Sequence, residues 1–297
     1  MSYTMNNETK FPYVKQFSKA IGISEAKLIQ AYQIEKEFHF AILREQDFKK
    51  RLNLYRNVYN TVHPIYGKTS ENITLAKNPK TKQVKLFRKE LSGKSILDVG
   101  CGQGYFLASI ATQLKHKRLV GIDVSIPEFS QQHTAIEFIS ADIIEFKIDE
   151  EFDVVFADQV FEHIAPCDVE MHLTSIKNSL RKGGTLIMCL PNRLFGPSDV
   201  TRIIDFTCTN KIEAQGTHLN ESTYTELIPI LKSQGFDDFR TIVSIPKIRH
   251  LLYCLRISPS IFLAIERSKL LLNILYSFKF RGRCVAKFEI VLICVKK

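Results

Sequence analysis

The chain has 297 residues, 45% of them hydrophobic and 24% charged, the balance of a folded globular protein and not of a disordered one. Its net charge of +10 is unevenly spread: residues 1–91 carry 17 Lys and Arg against 8 Asp and Glu, residues 92–243 carry 13 against 21, and residues 244–297 carry 11 against 2. The basic character lies in the two flanks, and the acidic middle is a poor docking face for a phosphate backbone, so no specific nucleic acid is expected as a partner.

The first ten residues are polar, which predicts no secretory leader. Seven cysteines with no C-x-x-C pair predict reduced thiols in the cytoplasm and no zinc site. From about Ser24 to Asn60 the chain reads as helix, with apolar residues at Leu28, Ala31, Tyr32, Phe38 and Ile42, then at Phe48, Leu52, Tyr55 and Tyr59. Ser24 is placed to cap it, and His63-Pro64 is expected to end it, because a residue before proline is pushed out of the α region. Residues 1–91 thus read as a helical N-terminal extension or lid, and residues 92–297 as the main domain.

In that domain short apolar runs alternate with helical stretches. Strands are predicted at Ser95–Val99, Arg118–Ile122, Glu137–Ser140, Phe152–Ala157, Thr185–Leu190 and Phe239–Ile245, with a last one at Phe288–Val295. Helices are predicted at Tyr105–Lys115, Ser125–Gln132, Asp168–Leu180 and Thr223–Gln234. This alternation predicts an α/β fold, a seven-stranded, mostly parallel sheet with helices on both faces, which binds ligands beyond the carboxyl ends of its strands. Residues 246–286 form an apolar, basic insertion before the last strand, with helical runs at Leu251–Ile257 and Ile261–Tyr276. Its longest apolar stretch is broken by Arg256, Pro259, Glu266, Arg267 and Lys269, which argues against a membrane span.

The first of these strands runs into Asp98-Val-Gly100-Cys101-Gly102-Gln-Gly104. Glycines remove Cβ where backbone must turn tightly and approach a ligand, and the helix that follows offers free N–H groups. A dinucleotide site would show G-x-G-x-x-G; here the spacing is G-x-G-x-G with a carboxylate just before it, which disfavours a pyrophosphate and suits a ligand with an ammonium group.

The stretch resembles motif I of the class I S-adenosylmethionine (SAM) dependent methyltransferases, whose fold is Rossmann-like, and later motifs follow in order. Gly121-Ile-Asp123-Val124 matches the segment whose acidic residue accepts from the ribose hydroxyls, and Ser140-Ala-Asp142-Ile143 matches the segment that meets adenine. Phe152-Asp-Val-Val-Phe-Ala-Asp158-Gln-Val-Phe-Glu162-His163 is similar to the fourth-strand segment of members acting on small molecules and lipids. The resemblance implies SAM as cofactor, held by Asp98, Gly100, Cys101, Gly102, Gly104, Asp123, Val124, Asp142, Ile143 and Asp158.

A looser resemblance links Pro191-Asn-Arg193-Leu-Phe-Gly-Pro-Ser198-Asp and Gly216-Thr-His218-Leu-Asn-Glu221 to methyltransferases of bacterial polysaccharide and lipid biosynthesis, with Ser198 replacing the histidine of that pattern. It implies a substrate role for Arg193, and Tyr66 in the N-terminal lid is a second substrate-side candidate. Methyl transfer from a sulfonium is an in-line displacement in which the protein mainly positions the acceptor; a base is needed only where a hydroxyl must lose its proton, and His163 and His218 are the candidates. The chain lacks the Asn/Asp-Pro-Pro-aromatic segment of enzymes that methylate amines of bases, which points to a hydroxyl on a small-molecule, glycan or lipid-linked acceptor. No carboxylate and histidine cluster demands a metal. The insertion is read either as a cap on the sheet edge or as a peripheral contact with the inner face of a membrane. A SAM-binding regulator without activity is the alternative from another class, with an RNA or protein methyltransferase behind it.

Overall fold

A computed structural model describes residues 10–66, 78, 80–124, 135–243, 252, 255–280 and 283–297. Among the described residues five helices precede the first strand: α1 (Val14–Ile21), α2 (Glu25–Arg44), α3 (Phe48–Tyr66), α4 (Thr81–Leu86) and α5 (Arg88–Leu91). The predicted Ser24–Asn60 helix is thus two helices. Ser24 caps α2 as expected, but the periodicity hides a break at residues 45–47, where Glu45 accepts from the Asp47 N–H and Asp47 accepts from the Lys50 N–H and starts α3. His63-Pro64 does not close α3, which runs on to Tyr66. Proline there forfeits a hydrogen bond only in the last turn, and the Tyr66 hydroxyl anchors that turn by donating to Glu35.

The strands are β1 (Lys94–Val99), β2 (His116–Asp123), β3 (Glu137–Ser140), β4 (Phe152–Asp158), β5 (Leu180–Leu190), β6 (Phe236–Arg240), a small pair β7 (Lys279–Phe280) and β8 (Arg283–Cys284), and β9 (Ile290–Lys296). Seven of them form one sheet in the order β3-β2-β1-β4-β5-β9-β6. β1 to β5 are parallel, and β9 inserts antiparallel between β5 and β6. Helices α6 (Tyr105–Gln113), α7 (Val169–Ser179) and α8 (Tyr224–Ser233) connect them. The predicted helix at residues 125–132 lies outside the described residues. Central β4 is buried along Phe152–Ala157, as a strand covered on both faces must be. One face packs Val155 and Ala157 against α7; the other packs Phe156 under Phe106 of α6 and under Val84, Phe87 and Leu91 of α4 and α5, with the Phe106 and Phe156 rings stacked at 3.8 Å.

β6 lies three residues before its predicted start. Gly235, in the left-handed conformation at φ 88°, stops α8 and releases the chain directly into the strand. β6 pairs only with β9 and so tolerates Asp237, Asp238 and Arg240, which mask its strand pattern. The predicted helix Ile261–Tyr276 is also two, α9 (Ser260–Arg267) and α10 (Lys269–Ser277), because the Ser268 hydroxyl caps α10. Residues 251, 253 and 254 of the predicted Leu251–Ile257 helix lie outside the described residues; of the rest, Leu255 and Arg256 are not helical and Ile257 is held extended by an isolated bridge to Thr241. The insertion is docked on the domain: Phe262 stacks on Tyr224 at 5.1 Å, and the Glu266 carboxylate accepts from the Tyr224 and Thr225 N–H groups at the start of α8 and from Asn192. No helix among the described residues is long and apolar enough to cross a membrane.

The N-terminal helices are fastened to the sheet by a buried ion pair. Arg51 of α3 meets Asp168, just before α7, through two bonds of 2.7 and 2.5 Å, and the Tyr55 hydroxyl donates to the same carboxylate while accepting from the Ala165 N–H. Both charged side chains are buried, so removing one strands the other without water or partner. Asp168→Ala is expected to cost about 3–5 kcal/mol and to lower the melting temperature by about 6–20 °C, read by thermal unfolding monitored by circular dichroism.

Candidate functional site

The carboxyl ends of β1, β2 and β4 come out level, since Asp98 pairs with Gly121 and Phe156, and Val99 with Ile122 and Ala157. The bend after β1 places Gly100, Gly102 and Gly104 at φ 70°, 51° and 69°, a region that side chains resist. A Cβ on Gly100 would lie 2.6 Å from Val160, whereas one on Gly102 would meet nothing within 4 Å, so the bend is closed on one side and open on the other. The Gly102 N–H donates to Asp123 at 2.9 Å, which fixes the bend against the end of β2. Cys101 packs over Gly121, where a Cβ would sit 2.8 Å from its sulfur. Val124, beyond β2, leaves its apolar side chain exposed.

The sequence-predicted acidic residues do converge here. Asp98 is buried, and burial together with the charge of Asp158 holds its carboxyl well above the usual range. Asp158 at the end of β4 accepts from Lys80 at 2.5 Å and Gln83 at 2.8 Å, which the sequence reading did not single out. Both come from the start of α4, so the N-terminal extension brings a cation to this acidic end of the sheet. Asp142 caps no helix: its Oδ1 accepts from the Ile144 and Glu145 N–H groups in a turn, and the Ile143 carbonyl accepts from His172.

A second constellation lies beyond β4 and β5. Glu162 and His163 sit in a single 3₁₀ turn after β4, and His218 comes from the long connection after β5. The imidazoles of His163 and His218 meet edge to face with centroids 4.8 Å apart, and Tyr59 of α3 stands edge-on to His163 at 6.1 Å. His163 donates through Nδ1 to the Thr217 carbonyl at 3.0 Å, and His218 through Nδ1 to Glu221 at 2.7 Å. These acceptors fix the tautomers and leave both Nε2 atoms without a hydrogen bond among the described residues. Burial and the neighbouring His218 charge lower His163 to about 3. Burial alone would lower His218 as well, but the bond to Glu221 and the charge of Asp199 lift it to about 9. Glu162 is fully buried; burial pushes it up to about 8, with His218 opposing and Asp158 adding to the rise.

The tripeptide Gly216-Thr217-His218 is held at every polar backbone contact it offers inward. Asp199 accepts from the N–H groups of Gly216 at 2.8 Å and His218 at 3.4 Å, Glu35 accepts from Thr217 at 3.0 Å, and His39 donates to the Gly216 carbonyl at 2.9 Å. A Cβ at Gly216 would lie 2.6 Å from both the Asp199 and the Glu35 carboxylates. Glu35 and His39, one turn apart on α2, escaped the sequence reading; two polar residues spaced i, i+4 on the inward stripe of an amphipathic helix are the signal that could have found them.

Two substrate-side candidates have other partners. Tyr66 donates to Glu35 and acts through it on the Gly216–His218 loop. Arg193 pairs with Glu226, the residue that completes the capping box of α8. Ser198, where the polysaccharide-type pattern has histidine, gives its N–H to Glu221 at 2.7 Å and thereby supports His218. The fold gathers Glu162, His163 and His218 from two loops more than 50 residues apart, with ligand atoms all within 4.8 Å of one another.

Glu35 makes the loop sensitive to pH. Burial raises its carboxyl from 4.5 to about 7, against the opposing hydrogen bond from Tyr66. Between those values the folded protein holds a proton that the unfolded chain has released, so the associated stability is complete below pH 4.5 and is lost as pH rises through 7. Relative to Glu35→Gln, the wild type should lose roughly 2–3 kcal/mol of unfolding free energy between pH 5 and pH 8, measured by urea denaturation at both values.

Comparison with known proteins agrees with this geometry. Residues 96–184 match the family model of the methyltransferase domain. The chain is 31% identical over 185 residues, 50% of its length and 59% of the other's, to a tRNA U34 carboxymethyltransferase of a Sulfurovum species. It is 25% identical over 133 residues, 44% of its length and 51% of the other's, to a malonyl-[acyl-carrier protein] O-methyltransferase of Calditerrivibrio nitroreducens. The chain spans about half the length of these two relatives. Among solved structures, the 1,6-didemethyltoxoflavin-N1-methyltransferase of Burkholderia thailandensis, crystallised with S-adenosylhomocysteine, superposes with a TM-score of 0.52 at 15% identity, over 84% of this chain and 89% of that one, and shares the fold. Residues 96–184 thus carry a methyltransferase domain, and the strand order and motifs around it resemble those of the class I SAM-dependent methyltransferases.

Proposed function

We propose that the protein transfers the methyl group of SAM to a hydroxyl on a small-molecule, glycan or lipid-linked acceptor. The observation that carries the reading is the open glycine bend bordered by the carboxyl groups of Asp98, Asp123 and Asp158, a cradle of hydrogen-bond acceptors suited to a nucleoside with a cationic tail. Asp98 and Asp158 would receive the ammonium group, Asp123 the ribose hydroxyls, and Val124, Asp142 and Ile143 the adenine. SAM, when bound, supplies a methyl group on a sulfonium, ready for in-line displacement. The rest of the work is positioning. His163, uncharged and with a free Nε2, is suited to accept a hydrogen bond from the acceptor hydroxyl, and His218, held positive by Glu221, to steady the oxygen as its proton leaves.

A lipid-linked acceptor gains support from the insertion. Its inner side is docked, but α10 buries none of its residues, and Ile261, Leu270, Leu271, Ile274 and Phe278 are exposed beside Arg267, Lys269 and Lys279. Leu270 is 70% exposed. Exposed leucines ringed by cations suit an anionic lipid surface. Co-sedimentation with phosphatidylglycerol vesicles is expected, weakened several-fold by Leu270→Ser with Ile274→Ser; absence of binding, with activity on a soluble acceptor, would remove the membrane from the proposal.

An RNA acceptor is the second reading, favoured by the name of the Sulfurovum relative and the basic N-terminal zone, and a steep salt dependence of RNA affinity would promote it. The primary test is calorimetric titration with SAM and S-adenosylhomocysteine. Binding is expected, and Asp123→Ala should weaken it at least tenfold with unchanged circular dichroism. A folded wild-type protein that binds neither would overturn the assignment.

A further inference from the structure

We infer that Glu162, His163 and His218 form a binding site for one divalent transition-metal ion. The site's purpose rests on the acceptor-side reading given above; its geometry does not. The carboxylate and the two imidazoles come from the turn after β4 and the connection after β5, and their ligand atoms lie within 4.8 Å of one another. Ligands of a single ion at about 2.0–2.2 Å stand about 3–3.5 Å apart, so a small inward turn of the three side chains closes the set.

The strongest sign of a missing partner is Glu162. It is fully buried, yet neither carboxylate oxygen has a hydrogen-bond partner. A buried carboxylate left in that state is costly, and such groups are paired or coordinate metals. The two histidines are already arranged as ligands: each gives its Nδ1 proton to a fixed acceptor, the Thr217 carbonyl or Glu221, which leaves Nε2 as the ligating atom, any proton on it passing to solvent when an ion binds. Metal-bound histidines are held in this way by carbonyls and carboxylates. The Glu162 carbonyl in turn accepts from the Leu219 and Asn220 N–H groups at 2.7 and 3.0 Å, so the two ligand-bearing loops are joined before any ion enters. The charged groups facing the cluster include the carboxylates of Glu35, Asp199 and Glu221, which favour a dication.

Two imidazoles and one carboxylate select a metal of the manganese-to-zinc series over magnesium or calcium, which prefer all-oxygen sets. Three protein ligands leave positions open for an acceptor oxygen. The ion would supply positive charge from a fixed point beside that oxygen.

The test uses the full-length protein, stripped by chelator and titrated with Co²⁺ alone, with visible absorption and elemental analysis as readouts. One Co²⁺ per chain is expected. Glu162→Gln and His218→Asn should each weaken binding at least tenfold, while His116→Asn, on β2, should not change it. Circular dichroism shows whether the variants fold. Should they not, paramagnetic broadening of the His163 and His218 ring proton resonances in the wild type decides the matter without them. Absence of stoichiometric binding, binding indifferent to both substitutions in folded variants, or unbroadened His163 and His218 signals each overturns the site. A parallel SAM titration separates the two ideas: SAM binding without Co²⁺ binding removes only the metal, and Co²⁺ binding at these residues without SAM binding supports the metal and removes only the methyl transfer.

Discussion

The backbone of Gly216-Thr217-His218 is the point on which the organisation of this molecule turns. Three N–H groups and two carbonyls of that short stretch are bound by side chains from α2, from the turn after β4 and from the connection after β5. Each bond is modest by itself, but each closes a contact that would otherwise leave a buried polar group unmet. The effect is to tie the N-terminal helices to the loops beyond β4 and β5. His163 owes its tautomer to it through the Thr217 carbonyl, and Gly216 is required there because two carboxylates occupy the space of a side chain.

The same economy governs the acidic end of the sheet. Carboxylates that converge at strand ends repel one another, and here Lys80 and Gln83 of the extension relieve Asp158. The basic N-terminal zone therefore supplies a counter-charge within the molecule, in addition to whatever its exposed lysines meet outside. Arg51 with Asp168 and Arg256 with Glu90 repeat the pattern: a cation from a flank or insertion enters a partly or wholly buried site and finds a carboxylate waiting.

The parallel core was readable because strand segments buried on both faces must be mostly apolar, and the buried stretches of β1, β2 and β4 are. β6 was not, since an edge strand next to β9 carries Asp237, Asp238 and Arg240 without penalty. The split of the first long helix hid behind uninterrupted periodicity, because a cap such as Asp47 costs the apolar stripe nothing. In the site, Asp98 and Asp123 announced themselves through the adjoining glycines, a local signal. Glu35 could not, for its role is a bond to Thr217, 182 residues away. Arg193, singled out by its motif, and Tyr66, by its place in the N-terminal lid, make bonds to Glu226 and Glu35 that no local pattern announced. Glu162 lay in plain view beside His163, but only the meeting of two loops reveals that its oxygens have nothing to bind.

The position of β9 bears on how the chain is made. It is the last strand in order yet lies between β5 and β6. Until residues 290–296 leave the ribosome, β5 presents a bare edge from Thr185 to Leu190, and β6 has no neighbour in the sheet. A nascent chain in that state carries an apolar edge competent to pair with another copy. β9 is thus a closing stitch between β5 and β6.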